Sequence, residues 1–287
     1  MIPQGGFSGW TPGYNAPAAR GLAAFGSAQS QFGTASERLA TGLRINRGAD
    51  DPAGLISSEK LGQQLAALEA ETRSLERQRS FVDVADAAIG EAASLTAEAN
   101  ALAVANANTG GMSDAERRAN QVNLDSLTQA IDGVFQRATF AGERVFSGEQ
   151  RLRVGGAELG VDAVTLSSLG SADIDGQSLT LRDTGDGKVA SIAGGDTGRA
   201  QALIEAASDQ LATMRGELGA FSRNVISPAL ETVRAESENT AAARSVIRDA
   251  DFAVESARRN RASLLSSSAL ATVAQSTAGR SAAINAV

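Results

Sequence analysis

The chain contains no cysteine and no histidine. The first absence excludes disulfides and thiolate metal ligands. The second removes the commonest general base and the commonest transition-metal ligand. Lysine is almost missing, with Lys60 and Lys188 the only two, and the formal net charge is −7. An acidic surface opposes nucleic-acid binding, whose sequence-independent part comes from cations on phosphates, so no nucleic-acid partner is expected. Aromatic residues make up 4% of the chain. Large rings force helices apart, so this scarcity fits thin helical packing better than a sandwich or barrel. No apolar run approaches the ~20 residues of a membrane span, and no basic stretch leads into an apolar one at the start of the chain. Neither membrane insertion nor a cleaved signal peptide is expected.

At 287 residues and 43% apolar content, the chain is long enough for two domains with a packed core. Met1 to Pro17 holds Pro3, Pro12, Pro17, four glycines and the only Trp and Tyr, a poorly helical tract. Leu22, Phe25, Phe32 and Leu39 then form a narrow helical stripe. Gly42, Gly48, Pro52 and Gly54 break it. Beyond them Leu61, Leu65, Leu68, Leu75, Val82 and Ile89 recur at heptad-like spacing, and Leu95 and Leu102 continue the seam. A helix from about Ile56 to Asn106 would be on the order of 75 Å long and would need partners along its flank. Asn108 to Gly111 reads as a turn, and Ser113 with Glu116 as a capping box for a helix carrying Leu124, Leu127, Ile131 and Val134. Between Glu149 and Gly198 the pattern becomes short and alternating, with Leu152 and Val154, Leu179 and Leu181, and turn chemistry at Gly185 to Gly187. From Arg199 a seam returns through Ile204, Ala207, Leu211, Met214, Leu218, Phe221 and Val225, and Pro228 predicts a kink or a new segment. The last stretch carries Leu264, Leu265, Leu270 and Val273.

Two segments at opposite ends carry a family resemblance. Gly33-Thr34-Ala35-Ser36-Glu37-Arg38-Leu39, Thr41 to Asn46 and Asp50-Asp51-Pro52-Ala53-Gly54 resemble the amino-terminal signature of bacterial flagellins. Leu218-Gly219-Ala220, Asn224, Ala243-Arg244-Ser245, Ile247, Asp249, Asp251-Phe252-Ala253 and Glu255 are similar to the carboxy-terminal one. The likeness covers about the first half and the last third of the chain. The Met1 to Pro17 tract departs from it, since flagellins usually run almost directly into a helix; a separate contact element and a late helix start both remain open. The tail Ile284 to Val287 is also less apolar than usual for the family.

The resemblance implies a mainly α fold: a long antiparallel helical coiled-coil rod with a small β-hairpin region and paired terminal helices. The expected organisation is an extension at 1–17, an inner terminal-helix domain from 18–42 and 249–287, a connecting spoke from 43–55 and 238–248, and a rod from 56–237 with its β element at about 149–198. Inner-tube packing is assigned to Leu22, Phe25, Phe32, Leu39, Leu264, Leu265, Leu270 and Val273, and the spoke to Arg44, Asn46, Asp50 and Asp51. The implied function is self-assembly into the flagellar filament that propels swimming cells, by a heterologous contact that continues without closing. The first partner is therefore a further copy of the chain. The family also implies an export apparatus that threads the unfolded chain outside, an export chaperone, a filament cap and hook-associated proteins. The nearest alternative is the related hook–filament junction adaptor; a soluble helical enzyme or binding module would need a concave polar site that no set of residues supplies.

Other features have plainer readings. Asp50-Asp51 and Asp249 with Asp251 could act as acid–base or cation pairs, but lack further ligand spacing and read as linker or helix-cap groups, so no catalytic residue, metal or cofactor is expected. Gly194 to Gly198 lacks a P-loop lysine and reads as a loop. Arg258-Arg259-Asn260-Arg261 is either a solvated face or a contact for acidic residues of a neighbour. Flagellins recognised by the vertebrate innate receptor usually carry an Arg-rich patch before Glu-Leu-Ala-Val. Glu98, Asn100, Ala101 and Leu102 occupy the matching stretch here, which predicts weak or absent activation.

Overall fold

The computed structural model describes residues 16–107, 111–194 and 197–285, with side chains described as far as Gly279. Among these residues the α-helices are α1 (Ala16–Thr41), α2 (Pro52–Ala107), α3 (Asp114–Arg137), α4 (Thr197–Phe221), α5 (Ser227–Arg248) and α6 (Phe252–Asn285). Six short strands lie between α3 and α4: β1 (Thr139–Phe140), β2 (Glu143–Arg144), β3 (Gln150–Val154), β4 (Ala157–Val161), β5 (Ala172–Ile174) and β6 (Gln177–Leu179). Mainly α architecture with small antiparallel hairpins is thus the observed fold class. The chain divides into a terminal unit, Met1–Ala66 with Glu238–Val287, and a central unit, Ala67–Ser237. Helices α2 and α5 supply residues to both.

Part of what the sequence suggested falls outside the described residues: 1–15 of the amino-terminal tract, 108–110 of the turn after α2, Gly195 and Asp196, and Ala286 and Val287. Ala16 and Pro17 already belong to α1, and Thr197 and Gly198 to the first turn of α4 rather than to a loop.

The central unit is built by the heptad seams. Leu68, Leu75, Val82 and Ile89 of α2 meet Leu124 and Ile131 of α3 and Ile204, Ala207, Leu211, Leu218 and Phe221 of α4 in one buried cluster. Leu95, Leu102, Leu127, Met214 and Val225 pack half-buried against it. The opening of α3 is a capping box: Ser113 N–H donates to Glu116 Oε2 at 2.7 Å and Glu116 N–H donates to Ser113 Oγ at 3.3 Å, satisfying two otherwise orphaned donors. Before α5 the backbone takes one π-helical turn, Ser222–Ile226, closed by Ser227 N–H on Ser222 O. That turn absorbs the missing donor of Pro228 at the start of α5, so the interruption is a change of helical pitch.

Three two-stranded hairpins, β1–β2, β3–β4 and β5–β6, follow α3. Their two-residue turns, Ala141-Gly142, Gly155-Gly156 and Asp175-Gly176, all have both φ values positive, the geometry that matches strand twist. Leu152 and Val154 point from β3 into the main cluster, and Leu179 of β6 joins Ala190 and Leu203 in a smaller one. Hairpin β1–β2 precedes the region in which β structure was expected. Its Ala141, at φ 53°, carries none of the Asn or Asp chemistry that announces such a turn.

Candidate assembly surface

In the terminal unit α1 and α6 pack together, and apart from Glu255 the residues they bury are small. Gly21, Ala28 and Ala35 of α1 recur every seven positions, as do Glu255, Ala262 and Ala269 of α6. Such a seam brings two helices to the lower end of the usual ~8–10 Å separation. A Cβ at Gly21 would lie 2.6 Å from Val273 Cγ2, so the valine fills the notch where the glycine has no side chain.

The price of a narrow seam is that larger apolar side chains cannot turn inward. Leu22 is 57% exposed, Leu264 71%, Leu265 49% and Leu270 48%. Phe25, Phe32, Leu39 and Val273 are half-buried. The eight residues assigned to inner-tube packing therefore divide into four half-buried ones and four open leucines. Ile56, Val246, Phe252 and Val254 add to the open set, so eight of the eleven exposed large apolar residues described lie in the terminal unit. Sequence periodicity marks the leucines, whereas the alanine seam escapes it because alanine gives a weak hydrophobic signal.

Polar groups fix the pair's geometry where the helices meet the connecting segment. Glu255 is 3% exposed, and its Oε1 accepts from Arg38 Nη1 at 3.2 Å and from Arg258 Nη1 at 2.7 Å. Arg259 places its guanidinium 5.8 Å from the centre of the Phe32 ring, a cation–π contact. Two of the three clustered arginines are thus engaged within the unit. Arg261 is exposed.

The residues assigned to the spoke, Arg44, Asn46, Asp50 and Asp51, lie in the segment between α1 and α2, which is hydrogen-bonded to the end of α5. Thr41 ends α1, and Gly42, at φ 70°, returns its N–H to Arg38 O at 2.9 Å, a left-handed helix end that favours glycine. Leu43 bridges Asp249, with Arg44 N–H on Arg248 O at 2.7 Å and Ala250 N–H on Gly42 O at 2.9 Å. Arg44 Nη2 donates to Ile247 O at 2.6 Å, and Asn46 Nδ2 to Leu43 O at 3.1 Å. Asp50 Oδ2 accepts the N–H groups of Asn46 and Arg47, each at 3.0 Å. Those bonds, Arg47's first, hold its carboxyl below the ordinary aspartate range. Asp51 and Asp251 cap α2 and α6: Gly54 N–H reaches Asp51 Oδ1 at 2.9 Å, and Ala253 N–H reaches Asp251 Oδ1 at 2.9 Å. These carboxylates are structural, and among the described residues no acidic cluster has metal-site geometry. Residues 238–248 lie within α5 rather than in a separate linker.

Glu98, Asn100, Ala101 and Leu102 lie on α2 in the central unit, the first three exposed and Leu102 half-buried. No described helix is long and apolar enough to cross a membrane.

Comparison with known proteins agrees at both ends. Residues 13–151 match the family model for the bacterial flagellin N-terminal helical region, and residues 201–279 that for the C-terminal helical region. The chain is 31% identical over 252 residues to flagellin FlaB2 of Treponema pallidum, covering 83% of this chain and 86% of that protein. It is 28% identical over 270 residues to the flagellin of Bacillus subtilis, covering 83% of this chain and 87% of that one. Among solved structures, a candidate flagellar hook-associated protein from Vibrio parahaemolyticus aligns with a TM-score of 0.57 at 12% identity, over 69% of this chain and 99% of that one.

Proposed function

Because the chain belongs to the bacterial flagellin family, we propose that the open apolar side of its α1–α6 pair is the surface that builds the filament. The protein is a structural subunit of the flagellar filament, an extracellular appendage, and not an enzyme. It polymerises with further copies of itself. The observation that carries the assignment of the surface is the concentration of exposed leucines on α1 and α6. Monomers rarely leave so many apolar groups in water unless another surface covers them. Each leucine removed from water contributes ~1.5–3 kcal/mol, and repetition along a lattice turns that into cohesion. Arg44, Asn46, Asp50 and Asp51 set the direction in which α1 and α6 leave the connector, so they act on assembly through geometry.

A double substitution, Leu264→Ser with Leu265→Ser, tests the surface. Leu264 is largely and Leu265 about half in solvent in the subunit, so its helix content should stay unchanged. The critical concentration for polymerisation, measured by sedimentation and electron microscopy, should rise at least ~100-fold, about 2.7 kcal/mol. Wild-type polymerisation by this variant would remove the assignment.

Rotation of the finished filament would drive swimming. The chain would leave the cell unfolded and without a cleaved signal, held beforehand by an export chaperone, and would meet the filament cap and hook-associated proteins outside. Retention of the chain in cells lacking the flagellar export channel is the check on that route. The structural likeness to a candidate hook-associated protein, at 12% identity, shows a shared fold alone. The curated relatives favour a propagating subunit, and fibres formed by the purified protein on its own would separate it from a junction adaptor.

A further inference from the structure

We propose that the Asp186-Gly187 step, in the irregular segment after β6, is a site of spontaneous isoaspartate formation, and that the fold directs this backbone modification there in preference to two identical dipeptides. It holds whether or not the filament reading does. The sequence contains Asp132-Gly133, Asp175-Gly176 and Asp186-Gly187. As sequence, all three are prone to it, because glycine sets no side chain over the amide that attacks.

In the reaction the Gly187 amide nitrogen attacks Cγ of Asp186 and forms a new C–N bond, while the carboxyl hydroxyl leaves with the amide proton as water. One water then opens the five-membered imide. Opening at the main-chain carbonyl leaves the backbone running through the former side chain; opening at the other restores aspartate. No oxidant, reductant or second substrate enters, and the mass of the chain is unchanged.

The step needs a carboxyl held by no donor, an amide N–H held by no acceptor, and freedom to bring the two together. Asp132-Gly133 fails on each count: it lies inside α3, where the glycine amide belongs to the helical ladder, and Asp132 Oδ2 accepts Gln136 Nε2. Asp175-Gly176 forms the turn between the paired strands β5 and β6, and Asp175 Oδ2 is held by Arg199 Nη2 at 2.6 Å. Asp186 and Gly187 instead sit exposed at the centre of a turn closed by one bond, Lys188 N–H to Gly185 O at 3.0 Å. Neither the Asp186 carboxylate nor the Gly187 N–H is engaged by any described residue. No atom lies within 4 Å of the place where a Cβ on Gly187 would stand, so the turn has room to rearrange.

The experiment ages the purified full-length chain in mildly acidic buffer, which favours loss of the hydroxyl, both folded and in concentrated urea. Trypsin separates the three steps into peptides 119–137, 154–182 and 183–188, and each is compared by chromatography with synthetic aspartyl and isoaspartyl standards. In the folded chain isoaspartate should build up in 183–188 at least about fivefold faster than in either other peptide. In urea the three rates should converge to within about twofold, since no turn or helix then shields any of them. Asp186→Glu would need a six-membered imide and should remove the isomer from its peptide, with helix content unchanged by circular dichroism. The inference is overturned if 119–137 or 154–182 keeps pace in the folded chain, if the preference for 183–188 persists undiminished in urea, or if the isomer survives Asp186→Glu.

Discussion

Single residues in this chain are decided by whether their polar atoms are satisfied. Gln121, 1% exposed on α3, uses its whole side-chain amide. Nε2 donates to Asp125 Oδ1 at 2.7 Å and Thr184 O at 2.9 Å, while Oε1 accepts Ser191 Oγ at 2.9 Å and Ile192 N–H at 2.8 Å. One amide thereby ties the irregular segment after β6 to the bundle, a buried network that specifies position because every member is paired. On the exposed side of α2 the same rule bears on recognition from outside. Receptor-active relatives are expected to offer guanidinium groups where this chain has Glu98 and Asn100, and glutamate where it has Ala101. A carboxylate or short amide cannot form the bidentate bonds that an arginine fork makes, and Glu98 adds repulsion toward an acidic partner. Purified monomer should therefore give a weak or absent response in a cell reporter for the vertebrate innate flagellin receptor, and a strong response would refute the reading.

At the scale of elements, the α1–α6 pair depends on side chains too small to stand out as a hydrophobic stripe. Ala28 is 2% exposed against α6, whereas Leu22 on the same helix is 57% exposed. Replacing Ala28 with leucine must push the helices apart, at ~1–3 kcal/mol for an overpacked site, while Leu22→Ala removes little within the subunit. Amide exchange in the monomer across 27–35 should accelerate about fivefold or more in Ala28→Leu and stay near wild type in Leu22→Ala; the opposite ranking would show that the leucines hold the pair. The seams of α2, α3 and α4 were legible because Leu, Ile and Val mark the buried face directly. The capping box at Ser113 was legible because cap chemistry is local. In the terminal pair the leucines mark the face left open, and the buried face is written in Gly, Ala and one Glu. Tertiary approach alone reveals that inversion. Hairpin β1–β2 was missed for a related reason, since Ala141 occupies a left-handed position that sequence rules give to Gly, Asn or Asp.

For the molecule as a whole, the two units hold very different amounts of buried apolar material. Among the described residues, the buried apolar residues of the terminal unit are Ala28, Ala35, Ile45, Ala262 and Ala269, with Ile45 its one large side chain, while the large enclosed Ile89, Leu124, Ile131, Leu169, Leu203, Ile204 and Leu211 belong to the central unit. A buried methylene is worth ~0.8 kcal/mol, so an alanine seam contributes only a few kcal/mol. With so small an enclosed core, α1 and α6 are expected to open more readily in a free subunit than the helices of the central unit. On the proposed assembly surface, burial of the open leucines by neighbouring copies would then stabilise the pair by mass action, as any ligand that binds only the folded form does. Hydrogen exchange should accordingly show α1 and α6 amides opening far more readily than those of α3 and α4 in the monomer, then gaining protection on polymerisation while α3 and α4 change little. Equal protection of all four helices in the monomer would mean that the terminal pair is complete by itself, and the drive to assemble would have to be sought elsewhere than in its uncovered leucines.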